Sequence, residues 1–370
     1  MSEIKVNSIK GVGATAAAIT VNNTDGTCTA NLSNRQNRNI IINGAMQVAQ
    51  RGTSSTTNGY GSVDRFKTTY SNTDEAPTQA QVDVASGTTP YTEGFRKALK
   101  VTNGNQTSVG GSDDISVRQQ IESQNIAQSG WDYTSSSSFI TVSFWVKSSV
   151  AQTFFAGIRL YGGDQREFCF SYTLSADTWT KVTKSIPGAA GNSIVNSTAI
   201  GAFLQFPQYW GTDFTDPGRT VDTWQVKNNA ANYPVNTTTW YTTNDATWEI
   251  TGVQLEVGSV ATDFEHKSYA DELRRCQRYF QHYITYAEYQ TGGTGSVGLP
   301  ITTLATPMRA SPTFVNNSED KSSNWTFNSF SMMSPPNSDT LGYSYFQLSI
   351  TTSNANYGYM KRIGTASAEL

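Results

Sequence analysis

Between Gly44 and Gly258 one pattern recurs: apolar side chains at every second position, in short runs separated by turn-forming residues, with no helical spacing of comparable length. Ile140, Val142, Phe144 and Val146 alternate in FITVSFWVKSS, and Phe154, Ala156, Ile158 and Leu160 in TFFAGIRLYGG. Phe168, Phe170, Tyr172 and Leu174 follow, then Ile200, Ala202, Leu204 and Phe206. Successive strand side chains point to opposite faces, so each run is a strand with one apolar face to bury. Such strands, without helices between them, predict an all-β chain built on an antiparallel sandwich and argue against an α/β enzyme.

The stretch Ala246 to Tyr283 marks where this module ends. Trp248 and Ile250 share one strand face, Val253, Leu255 and Val257 another, and the two sets differ in parity. A bulge at Thr251-Gly252 would restore a common buried face. After the Gly258-Ser259 turn, Ser268 with Asp271 three residues on has the form of a helix start. Leu273, Cys276, Phe280 and Tyr283 then recur at helical spacing, which predicts a helix leading into a different domain.

Several groups of residues in this chain resemble words of known proteins. NIIINGAMQVAQRGT at Asn39 to Thr53, YGSVDRF at Tyr60 to Phe66, and GVQLEVGSVATDFEHKSYADELRRCQRYF at Gly252 to Phe280 are similar to the words that open and close a jelly-roll module in tail-fibre and capsid-fibre proteins of tailed phages, marine phages of cyanobacteria among them. The order VSFWVKS, a strand pair, then LSADTWTKVTKSIPG resembles the middle strands of carbohydrate-binding-module jelly rolls, and MRASPT resembles the opening of the small C-terminal domains of phage fibres.

The resemblance implies a virion protein, located on the tail or capsid surface, that works as a homotrimer. Residues 1–38 would be an extended arm that wraps its own copies or attaches to other virion proteins; residues 39–267 the carbohydrate-binding-module-like jelly roll; 268–290 a connecting helix; 291–370 a small C-terminal β domain at the tip, with TASAEL as its last strand. The pieces IKVNSI and AAITVN carry too little apolar surface for a core of their own, so the arm is either a disordered leader or ordered by partners. Gly293-x-Gly295-x-x-Gly298 spells a dinucleotide fingerprint but follows a helix where that motif must follow a strand.

Charged residues make up only 15% of the chain, so its surface is polar without being charged, which suits extracellular β structure and contact with sugars. A net charge of -3 leaves no basic footprint for nucleic acid, and no apolar stretch approaches a membrane span. No basic-then-apolar leader stands at the N-terminus; synthesis in a cytoplasm and release by lysis would reconcile this with a virion location. Cys28, Cys169 and Cys276 are odd in number and far apart, with neither metal spacing nor a disulfide framework.

Residues 208–247 interrupt the strand pattern with seven aromatics among Asp, Asn and Thr, too long for a hairpin loop and too apolar for a linker. Trp145 falls on the strand face opposite Phe144 and Val146, the solvated face of a single sheet. Exposed aromatic rings stack on sugars, which makes Trp145, Tyr209, Trp210, Trp224 and Trp240 the candidate contacts to host-surface polysaccharide. The competing reading has these rings packing the insertion onto the sandwich or filling a subunit interface. Asp113, Asp114, Asp213 and Asp216 are available acids, but spacing places no two of them across a cleft; His266 and His282 have no nucleophile motif nearby. The expectation is therefore a binding protein without catalysis and without a cofactor. Two alternatives remain: a purely structural decoration protein, and a tail spike that degrades polysaccharide. Arg51, Asp64 and Arg65 would either bind ligand or form an ion pair with Glu256 of the final strand, and the carboxylates brought together there could also hold a structural Ca2+.

Overall fold

The computed structural model describes residues 37–290 continuously, together with 8–9, 19–21, 24, 28–30, 295–298, 302–310, 312–321, 325–333, 345–352 and 357–370. Within the arm, β1 (Ser8–Ile9), β2 (Ile19–Val21) and β3 (Cys28–Ala30) pair antiparallel in that order. The remainder of the arm expectation falls outside the described residues.

From Asn39 the chain forms β4 (Ser54–Ser55), β5 (Lys67–Ser71), β6 (Thr78–Asp83), α1 (Thr89–Thr92), β7 (Lys97–Thr102), β8 (Asp114–Glu122), α2 (Ser123–Ala127) and β9 (Phe139–Ser148). It continues through β10 (Gln152–Leu160), β11 (Arg166–Leu174), β12 (Thr180–Pro187), β13 (Ile200–Trp210), β14 (Trp224–Val226), α3 (Thr239–Thr242) and β15 (Thr247–Val257). Two antiparallel six-stranded sheets result: a front sheet ordered β14-β11-β10-β13-β8-β5 and a back sheet ordered β12-β9-β15-β7-β6-β4. The alternating residues of the sequence are their inner faces. Phe144 of β9 meets Tyr172 of β11 and Phe206 of β13 edge-on, at 5.6 and 5.0 Å between ring centres, and Phe206 leans on Trp248 of β15 at 5.9 Å. These residues belong to one continuous core, in which burying each large side chain contributes about 1.5–3 kcal/mol.

The parity break in β15 is a bulge, as the sequence predicts. Its register against β9 shifts between Thr251 and Gln254, and Gly252 takes φ 63° with Phe95 packed where a Cβ would stand. Trp248, Ile250, Val253 and Leu255 are thereby all buried, whereas Val257, expected on the same face, is exposed at the strand end. Gly44 lies against the same bulge: its carbonyl accepts from the Val253 N–H at 2.9 Å, an approach any side chain would block.

The helix is shorter than its spacing predicts. α4 (Tyr269–Gln277) starts on Ser268, whose Oγ accepts from the Asp271 N–H at 3.1 Å, but it stops at Gln277. Phe280 and Tyr283 lie instead in β16 (Phe280–Gln290). Then come β17 (Gly295–Gly298), β18 (Thr302–Thr303), β19 (Thr313–Lys321), β20 (Trp325–Met333), β21 (Tyr345–Thr352) and β22 (Tyr357–Ser367). β16 pairs with β22 along its whole length, from Phe280 opposite Ser367 to Gln290 opposite Tyr357, and this ladder outweighs the local helical spacing. Sheets β16-β22-β19 and β17-β21-β18, the latter with β20 on β21, form the C-terminal region. β22 ends at Ser367; Leu370 beyond it packs with Ile42, Val48, Cys276 and Tyr279 at the base of the sandwich.

Candidate functional site

A second bulge decides which side chains reach the outer face of the front sheet. In β13, Ala202, Leu204 and Phe206 face the core, and strict alternation would send Gln208 and Trp210 there too. The register against β8 slips between Pro207 and Tyr209, so Tyr209 turns into the core and Trp210 outward, opposite Asp114. Trp210 thus joins Gln205 and Phe203 on the outer face, beside Asp114, Ser116 and Arg118 of β8.

Part of residues 211–247, around Phe214 and Asn229 to Tyr233, lies over this face and raises one wall of a cleft of about 230 Å³. Phe214, Asn229 and Asn232 supply that wall; Thr69, Asp114, Ser116, Arg118, Arg159, Gln205 and Trp210 supply the floor and the opposite side. Trp210 is fixed edge-on to Tyr233, 5.0 Å between ring centres, over buried Phe155 and Cys169. The floor is a hydrogen-bonded ladder: Gln205 Nε2 donates to Ser116 Oγ at 3.1 Å, which shares a hydrogen bond with Thr69 Oγ1 at 3.0 Å. Arg159 binds Glu167 through Nε and Nη2, and its Nη2 also reaches Asn232 Oδ1 at 2.9 Å. Arg219 donates to the other Glu167 oxygen at 3.2 Å.

Three buried polar atoms of residues lining this cleft have no hydrogen-bond partner among the described residues: Gln205 Oε1, Trp210 Nε1 and Arg118 Nε. Gln205 is 1% exposed and Trp210 9%. An unpaired buried donor or acceptor costs roughly 1–3 kcal/mol, and these three belong to residues that line one cavity. Burial raises the Asp114 carboxyl above its ordinary range, against the pull of the Ser71 hydroxyl and of Arg118. Glu167 is likewise raised by burial, which outweighs the Arg159 guanidinium on it.

Of the five aromatics proposed from sequence, only Trp210 borders this cleft. Trp145 is 7% exposed, because the outer face of the back sheet is covered: Phe95 packs on it with Ala45, Val84 and Ala98, and its Nε1 donates to Glu93 Oε2 at 2.9 Å. Trp240 is fully buried, donating from Nε1 to Thr247 O at 3.1 Å. Tyr209 stacks on Tyr241 at 4.1 Å inside the core. Trp224 closes the sandwich edge beside Trp131, its Nε1 donating to Pro187 O at 2.6 Å. Tyr209, Trp224 and Trp240 pack the insertion onto the sandwich, the plainer of the two sequence readings, while Trp145 packs beneath the segment around Phe95. Sequence reasoning missed Arg118, Ser116, Thr69 and Gln205; the available signal was a polar Gln205 set within the apolar run of β13.

The expected pairing with Glu256 is not made by Arg51 or Arg65. Glu256 takes Arg38 at 3.5 Å and the Thr262 N–H and hydroxyl. Arg51 and Arg65 both bind Glu369, and Arg51 lies 3.7 Å from Asp64. Among the described residues no three His, Cys, Asp or Glu side chains stand close enough to share a cation.

No family model matches the chain, and no curated protein matches it. Among solved structures it is similar to the enzymatically active domain of tailspike protein 4 of bacteriophage CBA120, at 11% identity and a TM-score of 0.30, over 60% of this chain and 22% of that one. It is similar to the family 11 carbohydrate-binding module of the cellulosomal cellulase Lic26A-Cel5E of Clostridium thermocellum, at 10% identity and a TM-score of 0.27, over 58% and 98% of the two chains. The module TmCBM61, solved with β-1,4-galactotriose, gives 10% identity and a TM-score of 0.28 over 60% and 99%.

Proposed function

We propose that this chain is a non-enzymatic virion protein of a tailed phage, a tail or capsid fibre acting as a homotrimer, and that it holds a host-surface glycan in the cleft between Trp210 and Gln205. The observation that carries the glycan reading is that three residues lining one small cavity, Gln205, Trp210 and Arg118, each hold a buried polar atom without a partner among the described residues, namely Gln205 Oε1, Trp210 Nε1 and Arg118 Nε. Sugar hydroxyls both donate and accept, so one ring can satisfy an orphaned acceptor and two orphaned donors while its C–H face lies on Trp210 or Phe214. Glycosidic cleavage needs two carboxylates aimed at one bond, whereas Asp114 accepts from Ser71 and Glu167 is taken up by Arg159 and Arg219. This favours binding over hydrolysis.

The resemblance of the opening and closing words to phage fibre proteins supports the virion placement. Those words meet in space: Asn39 N–H donates to Glu265 Oε2 at 2.8 Å, and Ile40 N–H to Leu255 O at 2.9 Å. Self-association is supported by apolar side chains left exposed on one face of the C-terminal sheet, Ile284 and Tyr286 of β16 and Val315 of β19. Three linked copies would raise a weak single-site affinity by avidity. Labelled full-length protein should bind host cells and a panel of bacterial surface polysaccharides saturably, as a trimer by light scattering, with no release of reducing ends. An intact trimer that binds no member of the panel would indicate a structural decoration protein; release of reducing ends would indicate a degrading spike.

A further inference from the structure

We infer, building on that reading, that the glycan taken by the cleft is acidic, with a sugar carboxylate seated on the guanidinium of Arg118. Arg118 differs from the other arginines of this face. Arg159 and Arg219 share Glu167. Arg118 makes no hydrogen bond or ion pair among the described residues, its Nε is buried without a partner, and its neighbour on the ring side is Phe203, 5.6 Å from ring centre to guanidinium carbon. The nearest strand neighbour across the ladder adds to the imbalance: Lys67 of β5 stands directly opposite Arg118, on the same face. Arg118 and Arg159 line the cleft, with Lys67 and Arg219 behind them; against these four cations stand the carboxylates of Asp114 and Glu167, with Glu369 acting on Lys67. Two guanidiniums already divide Glu167, and Asp114 accepts from the Ser71 hydroxyl.

Arg118 feels the Asp114 carboxylate but makes no direct ion pair with it among the described residues; a desolvated guanidinium so placed is costly, and a planar carboxylate answers it with paired N–H···O bonds that a hydroxyl cannot match. A sugar carboxylate on Arg118 leaves ring hydroxyls within the same cavity to answer Gln205 Oε1 and Trp210 Nε1. One ligand then uses all three unpaired groups. The chemistry required is that of a hexuronate residue, or of any glycan bearing a carboxylate on or beside the ring.

The test is affinity of the full-length protein for a panel of uronate-bearing oligosaccharides, each measured beside its carboxyl-reduced counterpart, which keeps every other hydroxyl. The acidic member of a bound pair should bind at least about ten-fold more tightly, with an affinity that falls as salt is raised. Arg118→Gln should erase the preference between members, and Arg118→Lys should retain part of it, with circular dichroism and melting temperature confirming a folded protein in each case. Equal binding of the acidic and reduced members, or a preference that survives Arg118→Gln, would overturn the acidic assignment while leaving glycan binding in place. Failure of the folded wild type to bind any acidic or reduced member would overturn both.

Discussion

The backbone N–H of Asn43 donates to Glu272 Oε1 at 2.7 Å, joining residues 229 positions apart in the chain. Asn43 sits at φ 61°, and its amide bridges Val48 and Asp64 through three further bonds of 2.8, 2.9 and 3.0 Å. This one residue ties the entry of the sandwich to the helix that leaves it. Asn43→Ala removes the side-chain bonds and keeps a Cβ in the left-handed region, and is expected to lower stability by about 2–4 kcal/mol. Urea unfolding checks this, and glycan affinity per folded molecule should stay unchanged.

Trp145 tests the distinction between packing and binding. Because its ring is buried under Phe95 and its Nε1 is bound to Glu93, Trp145→Ala should cost about 3–5 kcal/mol of stability. Glycan affinity should change less than about two-fold. A loss of affinity without loss of stability would restore Trp145 as a ligand contact.

Arg65, 1% exposed, lies 3.4 Å from the centre of the Tyr279 ring and pairs with Glu369, which also binds Arg51 at 3.0 Å. Removing the carboxylate leaves a buried cation unpaired. Glu369→Ala is expected to destabilise by about 3–5 kcal/mol in the same unfolding assay.

Glu122 gives a pH dependence with a definite sign. Its fully buried carboxylate is pushed up by burial, but hydrogen bonds from Arg278 at 2.9 Å and from the Tyr279 hydroxyl at 2.6 Å more than offset this and hold it below the ordinary range. A depressed folded pKa contributes stability that is fully present above the unfolded value of about 4.3 and is lost as pH falls through the folded one. Asp64, Asp114 and Glu167 are raised by burial and gain in the opposite direction as pH falls. The quantity to measure is therefore the stability difference between wild type and Glu122→Gln, which should shrink as pH falls below about 4.

The sandwich was legible because its signal is local and repeated. Alternation at Ile140–Val146 or Phe154–Leu160 specifies a strand and its buried face, and the parity break before Val253 located the β15 bulge. The helix was half legible: the Ser268 cap is local, whereas its end is set by pairing between Phe280 and Ser367, which helical spacing does not register. The cleft was the least legible part. Trp210 reaches the outer face only because β13 slips at Pro207–Tyr209, and Trp145 leaves the surface only because residues near Phe95 cover it. Both depend on chain distant in sequence. Burial then reversed the sequence preference for large aromatics, and the unpaired groups proved to include Gln205 and Arg118.

The most direct measurement is the ¹H–¹⁵N indole spectrum of the full-length protein, whose eight tryptophans each give one signal, during titration with an oligosaccharide bound by the wild type. Trp210→Phe assigns the signal that matters. Glycan binding in the front-sheet cleft predicts a saturable shift confined to the Trp210 indole, with at least about ten-fold weaker binding when Gln205→Leu and Trp210→Phe are combined in a folded protein. A shift centred on Trp145, Trp224 or Trp240, or binding undiminished in the double variant, would contradict it.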